Sequence, residues 1–241
     1  SVSDDYIDEV RYFKQFKGQS LKVLGQSKKV PLLSTEFFSD YNGATDGSDY
    51  NYFFPKTKWS GLQWYNANVE AEAKCSNGYI YFLDKAVPEI PSIDEYLRNH
   101  TDKFSVFYDL IQRFAPYSFN QYDDDVDKTR LYNKNYVSIS NIAYEIGPAS
   151  SPYDRRDCYS AFIPTDNVLQ EYINNTFLKH FESLDSVPEI SLIFLAQSCL
   201  KNNFDIASKI KRSFVNNYGD NIPLDVNNDV SEAILLSNGP L

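Results

Sequence analysis

The stretch "NVEAEAKCSNGYIYFLDKAVP", residues 68–88, constrains the fold more tightly than any other part of the chain. Val69, Ala71 and Ala73 alternate with Glu70, Glu72 and Lys74, the period-two pattern of a half-buried strand. Asn77-Gly78 is a residue pair that tolerates the positive φ of a tight hairpin turn, and "YIYFLDKAV" reads as the returning strand. A β-hairpin is therefore expected here, and any fold assigned to the chain has to accommodate it.

Beyond the hairpin the pattern turns helical. Pro88 and Pro91 bracket a boundary, after which Ser92 and Glu95 form a capping box in which two free amides are satisfied reciprocally. In "KFSVFYDLIQRFAPY", Val106, Phe107, Leu110, Ile111 and Phe114 recur on one helical face, and the helix stops before Pro116. Residues 158–163 are apolar enough for a core strand that Pro164, which has no amide proton, would end. Thr165 or Asp166 then caps a helix over "NVLQEYINNTFLKHF".

Further on, "PEISLIFLAQSCL" predicts a largely buried helix on Ile190, Ile193, Leu195 and Leu200. "FDIASKIKRSFVNNYG" predicts another, carried by Ile206, Ile210 and Phe214 and ending near Gly219. Elsewhere, "YIDEVRYFKQFKG" reads as a short amphipathic helix, residues 31–62 as loops between short strands, and "YVSISNIAYEI" as a strand or pair of strands. The expected class is α+β.

With 241 residues, 42% of them hydrophobic, the chain can bury one large core or two ordinary ones. An internal echo bears on the choice. "VEAEAKCSNG" (69–78) aligns with "VSEAILLSNG" (230–239), matching Val69 to Val230 and the whole Ser-Asn-Gly. A repeat at that spacing suggests tandem domains. On that reading residues 1–90 are the C-terminal part of a first domain, and 91–241 are a second domain cut short in its closing hairpin.

The order of these parts resembles the fasciclin (FAS1) domain. The carriers are the helix pair "SIDEYLRNHTDKFSVFYDLIQRF", the strand and helix start "YSAFIPTDNVLQEYI" and the closing hairpin "SNGYIYFLDKAVP". The motif positions are Phe162, Pro164, Thr165 and Asp166, then Asn77, Gly78, Asp84 and Lys85 in the preceding domain, with Asn238 and Gly239 in the second closing hairpin. The resemblance covers residues 60–115 and 158–173 well, 230–241 less fully, and 116–157 weakly.

It implies a FAS1-like β-sandwich or wedge with a helical layer, in tandem and incomplete. It also implies a non-catalytic adhesion role at the cell surface. The Tyr-His pair associated with cell binding in some members is absent, so integrin-type recognition does not carry over. The long polar inserts look more like surface lipoproteins of gut Bacteroidetes. That likeness implies export and an outer-membrane lipid anchor upstream of Ser1, where the chain opens without Met as a processed or truncated product would.

The formal charge of −10 argues against nucleic acid, whose phosphates call for concentrated Lys and Arg. No apolar run approaches the roughly 20 residues of a spanning helix. Cys75, Cys158 and Cys199 show no zinc or disulfide spacing, and His100 and His180 sit in no HExxH, GxSxG or phosphate-loop context. No catalytic residue, metal site or cofactor is therefore assigned.

Asp123, Asp124, Asp125 and Asp127 lack the Gly and distal Glu of a calcium loop and read as a solvated charge run. The candidate binding surface is aromatic. Tyr52, Trp59, Trp64 and Tyr65 crowd one region, where they either fill a core or form rigid anchors for an extracellular protein or polysaccharide. Three functions stay open: an adhesion module, a carbohydrate-binding or glycan-processing component of a surface uptake system, and an architectural spacer.

Overall fold

A computed structural model describes residues 23, 28, 30–122, 130–145, 158–210 and 212–241. The helix expected at 6–18 and the aspartates at 123–127 lie outside the described residues. In chain order the elements are β1 (Leu32–Ser34), α1 (Thr35–Asp40), α2 (Ser48–Phe53), β2 (Leu62–Trp64), β3 (Ala67–Cys75), β4 (Gly78–Leu83), α3 (Ile93–Asn99) and α4 (Thr101–Gln112). They continue with β5 (Tyr117–Tyr122), β6 (Arg130–Lys134), β7 (Ser160–Ala161), α5 (Asp166–Thr176), α6 (Glu189–Ser198), β8 (Leu200–Lys201), α7 (Ala207–Ile210), β9 (Ser213–Val215), β10 (Asn221–Pro223), β11 (Leu235–Leu236) and β12 (Gly239–Pro240). The class is mixed α+β. One antiparallel sheet runs β1-β2-β3-β4, and the other strands pair two by two.

The 68–88 hairpin forms, with two differences from its sequence pattern. Cys75 pairs with Gly78, so the turn residues are Ser76-Asn77, and neither Asn77 nor Gly78 takes a positive φ. A register shift between Val69 and Ala71 also rephases the strand, because one inserted residue exchanges the two faces. Val69 consequently shares a face with Leu83, Tyr81 and Tyr79, whereas Ala71 and Ala73 share the opposite face with Phe82 and Ile80.

The capping box is present as expected, with Ser92 Oγ accepting from Glu95 N–H and the Glu95 carboxylate accepting from Ser92 N–H. Phe107, Leu110, Ile111 and Phe114 of α4 and its exit are buried together with Leu169 and Ile173 of α5 and Leu192 and Ala196 of α6. A second apolar cluster joins Leu33, Phe38, Tyr41 and Tyr50 to Phe204, Ile206 and Leu235, so residues from both sides of position 90 share it. Asp49 staples the same contact. Its buried carboxylate accepts from Ala44 N–H, Ser208 N–H and Ser208 Oγ.

Four expectations are corrected. Residues 31–62 contain α1 and α2 rather than only strands and loops. Ser34 caps α1 by accepting from Phe37 N–H, and Gly47 opens α2 at φ +94 with Trp59 packed where a Cβ would stand. Residues 136–145 carry no strand. There the Asn141 side chain takes Tyr136 N–H and the Gln197 side chain takes Ser140 N–H, so local bonds replace a ladder.

Helix α6 is not largely buried: Leu192 and Ala196 are buried and Ile193 and Leu195 pack partly against the same cluster, but Ile190 and Phe194 face outward. The helix predicted over 204–219 is confined to α7, and Phe214 reaches the core from the β9–β10 hairpin, stacked on Phe162 at 4.0 Å. Asn216 favours that turn by accepting from Tyr218 and Asp220 N–H groups.

Candidate functional site

The residues of the strand-Pro-Thr-Asp-helix motif are architectural in their contacts. Thr165 stands at the N-cap of α5 with no side-chain bond, its carbonyl accepting from Leu169 N–H. Asp166 does not cap its own helix. Its carboxylate accepts from Ser105 Oγ (2.7 Å) and Val106 N–H (2.8 Å), just past the non-helical Phe104 that interrupts α4. An amide freed by that interruption thus finds its acceptor on a neighbouring helix. Phe162 N–H donates to Cys199 O, which ties the strand exit to the end of α6.

The two Ser-Asn-Gly turns have the same construction and opposite surroundings. Leu236 pairs with Gly239 across Ser237-Asn238, as Cys75 pairs with Gly78 across Ser76-Asn77. The second turn is buried. Asn238 Oδ1 accepts from Ile93 N–H, and its Nδ2 donates to Ile142 O and Tyr144 O. Ser237 Oγ donates to Glu145, whose carboxyl is pushed up by burial against the pull of Ser237 and Lys28. Gly239 has φ +145, and a Cβ there would lie 1.7 Å from Tyr159 O, so only glycine fits. The first turn, by contrast, is exposed at Ser76, Asn77 and Gly78.

Of the aromatic candidates, Trp59 is packed against the rings of Phe38 (5.6 Å) and Tyr50 (4.9 Å). Tyr52 and Tyr65 are half-buried and donate their hydroxyls to Val226 O and Leu235 O. Burial raises both phenol pKa values. Trp64 is differently placed. Its ring meets Tyr81 (5.9 Å), which stacks with Tyr79 (6.4 Å, 18°), giving a ladder along one face of the β2-β3-β4 sheet beside Glu72 and Lys74. The opposite face of the hairpin carries Ala71, Ala73, Cys75, Ile80 and Phe82. Tyr79, Ile80 and Phe82 are exposed at 55%, 51% and 53%.

The exposed hairpin face was missed as a site in the sequence, although alternation alone marked two faces; a strand pattern does not say whether anything covers it. Asp84 clamps the base of the hairpin by accepting from Asn68 N–H and Asn68 Nδ2, and these bonds, the side-chain one first, hold its carboxyl below the usual carboxylate range.

The buried polar cluster lies elsewhere. Asp94 Oδ1 accepts from Lys134 Nζ and from Tyr136 OH, both at 2.5 Å, and Lys134 also lies against Tyr108. Burial lowers the Lys134 pKa against the pull of Asp94, and burial beside the Asp94 charge raises that of Tyr136 well above its ordinary value. The cluster ties α3 to β6 inside the core.

His100 stacks on Tyr96 at 3.9 Å and bonds its carbonyl through Nδ1, while His180 is exposed. Cys75 and Cys199 are free thiols, with burial raising Cys199 to about 11. Among the described residues no group of three or more His, Cys, Asp or Glu side chains is placed to hold a metal ion, and no helix is long and apolar enough to cross a membrane. No protein-family model, curated protein or solved structure matches this chain.

Proposed function

We propose that the chain is a non-catalytic interaction module of the fasciclin kind, displayed at the cell surface, whose Trp64–Tyr81–Tyr79 ladder contacts an extracellular protein or polysaccharide. The observation that carries this reading is the ladder itself. Tyr79 is more than half exposed on a sheet face with two charged neighbours, Glu72 and Lys74. Aromatic rings of this kind offer large contact area at small conformational cost and a polar edge for hydrogen bonding.

The fasciclin part rests on the sequence resemblance. Support comes from the repeated Ser-Asn-Gly hairpin turn and from the packing of a strand-Pro-Thr-Asp-helix unit against a capped helix pair. Tandem domains and a lipid anchor upstream belong to the same proposal.

The test is binding of the purified chain to a panel of matrix proteins and a glycan panel, with Trp64→Ala and Tyr79→Ala beside it. Saturable binding that weakens by about tenfold or more in either variant supports the ladder, since tenfold corresponds to about 1.4 kcal/mol, within the reach of one aromatic contact. No binding to either panel, or binding that both variants retain, refutes it. Protease shaving of intact cells tests the surface location.

A further inference from the structure

We propose that two copies of this chain pair through β4, edge to edge and antiparallel about a two-fold axis at Tyr81, to make one continuous sheet. β4 is the terminal strand of its sheet, so among the described residues one side of its backbone has no strand beside it. Exposed edges of this kind are normally blunted by a charge, a proline or a bulge on the edge itself. Gly78–Leu83 contains neither a charge nor a proline, and the only register shift of the hairpin lies at Val69/Ala71 of β3.

The N–H and C=O groups on that side, without a strand partner among the described residues, specify a strand as occupant, and the other Ser-Asn-Gly hairpin is covered in that way. β7 lies beside β12, Tyr159 N–H donates to Asn238 O, and Leu235, Leu236, Gly239 and Pro240 are all buried.

The strand is its own complement. With Tyr81 opposite Tyr81 of the second copy, Ile80 meets Phe82 and Tyr79 meets Leu83, so every pair matches apolar or aromatic groups on a common face. The Ile80–Phe82 face would then be shared by both copies, and the Tyr81–Trp64 row would run through the axis into its counterpart.

Each copy carries a formal charge of −10, which opposes association. Glu72 and Lys74, however, lie on β3. Across two paired β4 strands the nearest β3 charges of the two copies are three strand spacings apart, about 14 Å, beyond the screening length of about 8 Å at physiological salt. Added salt therefore strengthens the dimer. Two hairpins cover less than the roughly 800 Å² per partner of a standard interface, so half-association is expected at tens to hundreds of micromolar, on the order of 10⁻⁴ M.

Sedimentation velocity of the full chain from about 5 µM to 1 mM, at low and high salt, is the first measurement. The expected result is a monomer–dimer equilibrium that tightens with salt, disappears in Ile80→Lys and persists in Val168→Lys, whose site lies on the exposed face of α5. In a Cys75→Ser background, Tyr81→Cys should cross-link to itself on mild oxidation and Tyr79→Cys should not. A monomer at 1 mM, a dimer that survives Ile80→Lys, or cross-linking at 79 in preference to 81 overturns the proposal. No ligand enters these assays, so they stand or fall separately from the binding reading of the ladder.

Discussion

Replacing Asn238 with Ala is the sharpest test of how the buried Ser-Asn-Gly turn holds the structure. Asn238 is 0% exposed, and its side chain makes bonds of 2.9 Å from Ile93 N–H, 2.8 Å to Ile142 O and 3.1 Å to Tyr144 O. The Tyr159 N–H bond to the Asn238 main-chain carbonyl would survive the substitution. The loss is of the acceptor for the first amide of α3 and of the donor for two carbonyls.

An orphaned buried N–H costs about 1–3 kcal/mol, and carbonyls left short of a donor cost less because they have a second lone pair, so the total is about 3–5 kcal/mol. That is a large part of the ~5–15 kcal/mol by which a domain is ordinarily stable. Asn77→Ala is the control within the same molecule: it occupies the same place in a Ser-Asn-Gly two-residue turn, but it is exposed and should change stability by under ~0.5 kcal/mol. Urea denaturation of both variants, with hydrogen exchange at the Ile93 amide, makes the comparison. A loss below ~1 kcal/mol for Asn238→Ala, or equal losses at the two sites, would refute the reasoning.

Other substitutions probe the remaining contacts. Asp166→Ala should cost about 1–2 kcal/mol, as for loss of a helix cap, while Asp166→Asn recovers most of it; Ala and Asn behaving alike in thermal melts would remove Asp166 from that role. Lys134→Ala should cost about 3–5 kcal/mol by removing the cation that is bonded to the buried Asp94 carboxylate, which denaturant titration reads directly. Because the folded Asp84 carboxyl is held below its ordinary value, the hairpin contribution is present above that value and lost as pH falls through the folded one. Protection of the Asn68 and Asp84 amides, taken relative to intrinsic exchange at each pH, should fall in that window, and not in Asp84→Ala. Glu145 has the opposite sign: with its folded value raised above 4.5, stability should decline as pH rises from about that value through the folded one, and Glu145→Gln should flatten the slope.

Much of the secondary structure was legible wherever the signal was local. Ser92 and Glu95 specify a helix start through reciprocal bonds that need nothing distant, and residues 69–83 specify a hairpin through alternation. The second half of "FDIASKIKRSFVNNYG" misled because Ile206, Ile210 and Phe214 have helical spacing, yet Phe214 reaches Phe162 better from a strand. Residues 31–62 misled because Gly, Asn and Asp marked loops, and the caps at Ser34 and Gly47 were hidden among them. Trp64 was named among the candidates on composition alone, and its partners Tyr79 and Tyr81 were not.

The amino-acid pattern by itself determined the mixed class, the hairpin, the capped helix pair and the strand-Pro-Thr-Asp-helix unit, since each rests on bonds or periodicities within a few residues. Only the tertiary structure decided that Asp166 serves another helix, that one Ser-Asn-Gly is buried and the other exposed, and that Trp59 lies in a core while Trp64 begins a ladder. Local sequence fixes which groups need a partner; burial and hydrogen bonding between segments far apart in the chain determine which partner they find.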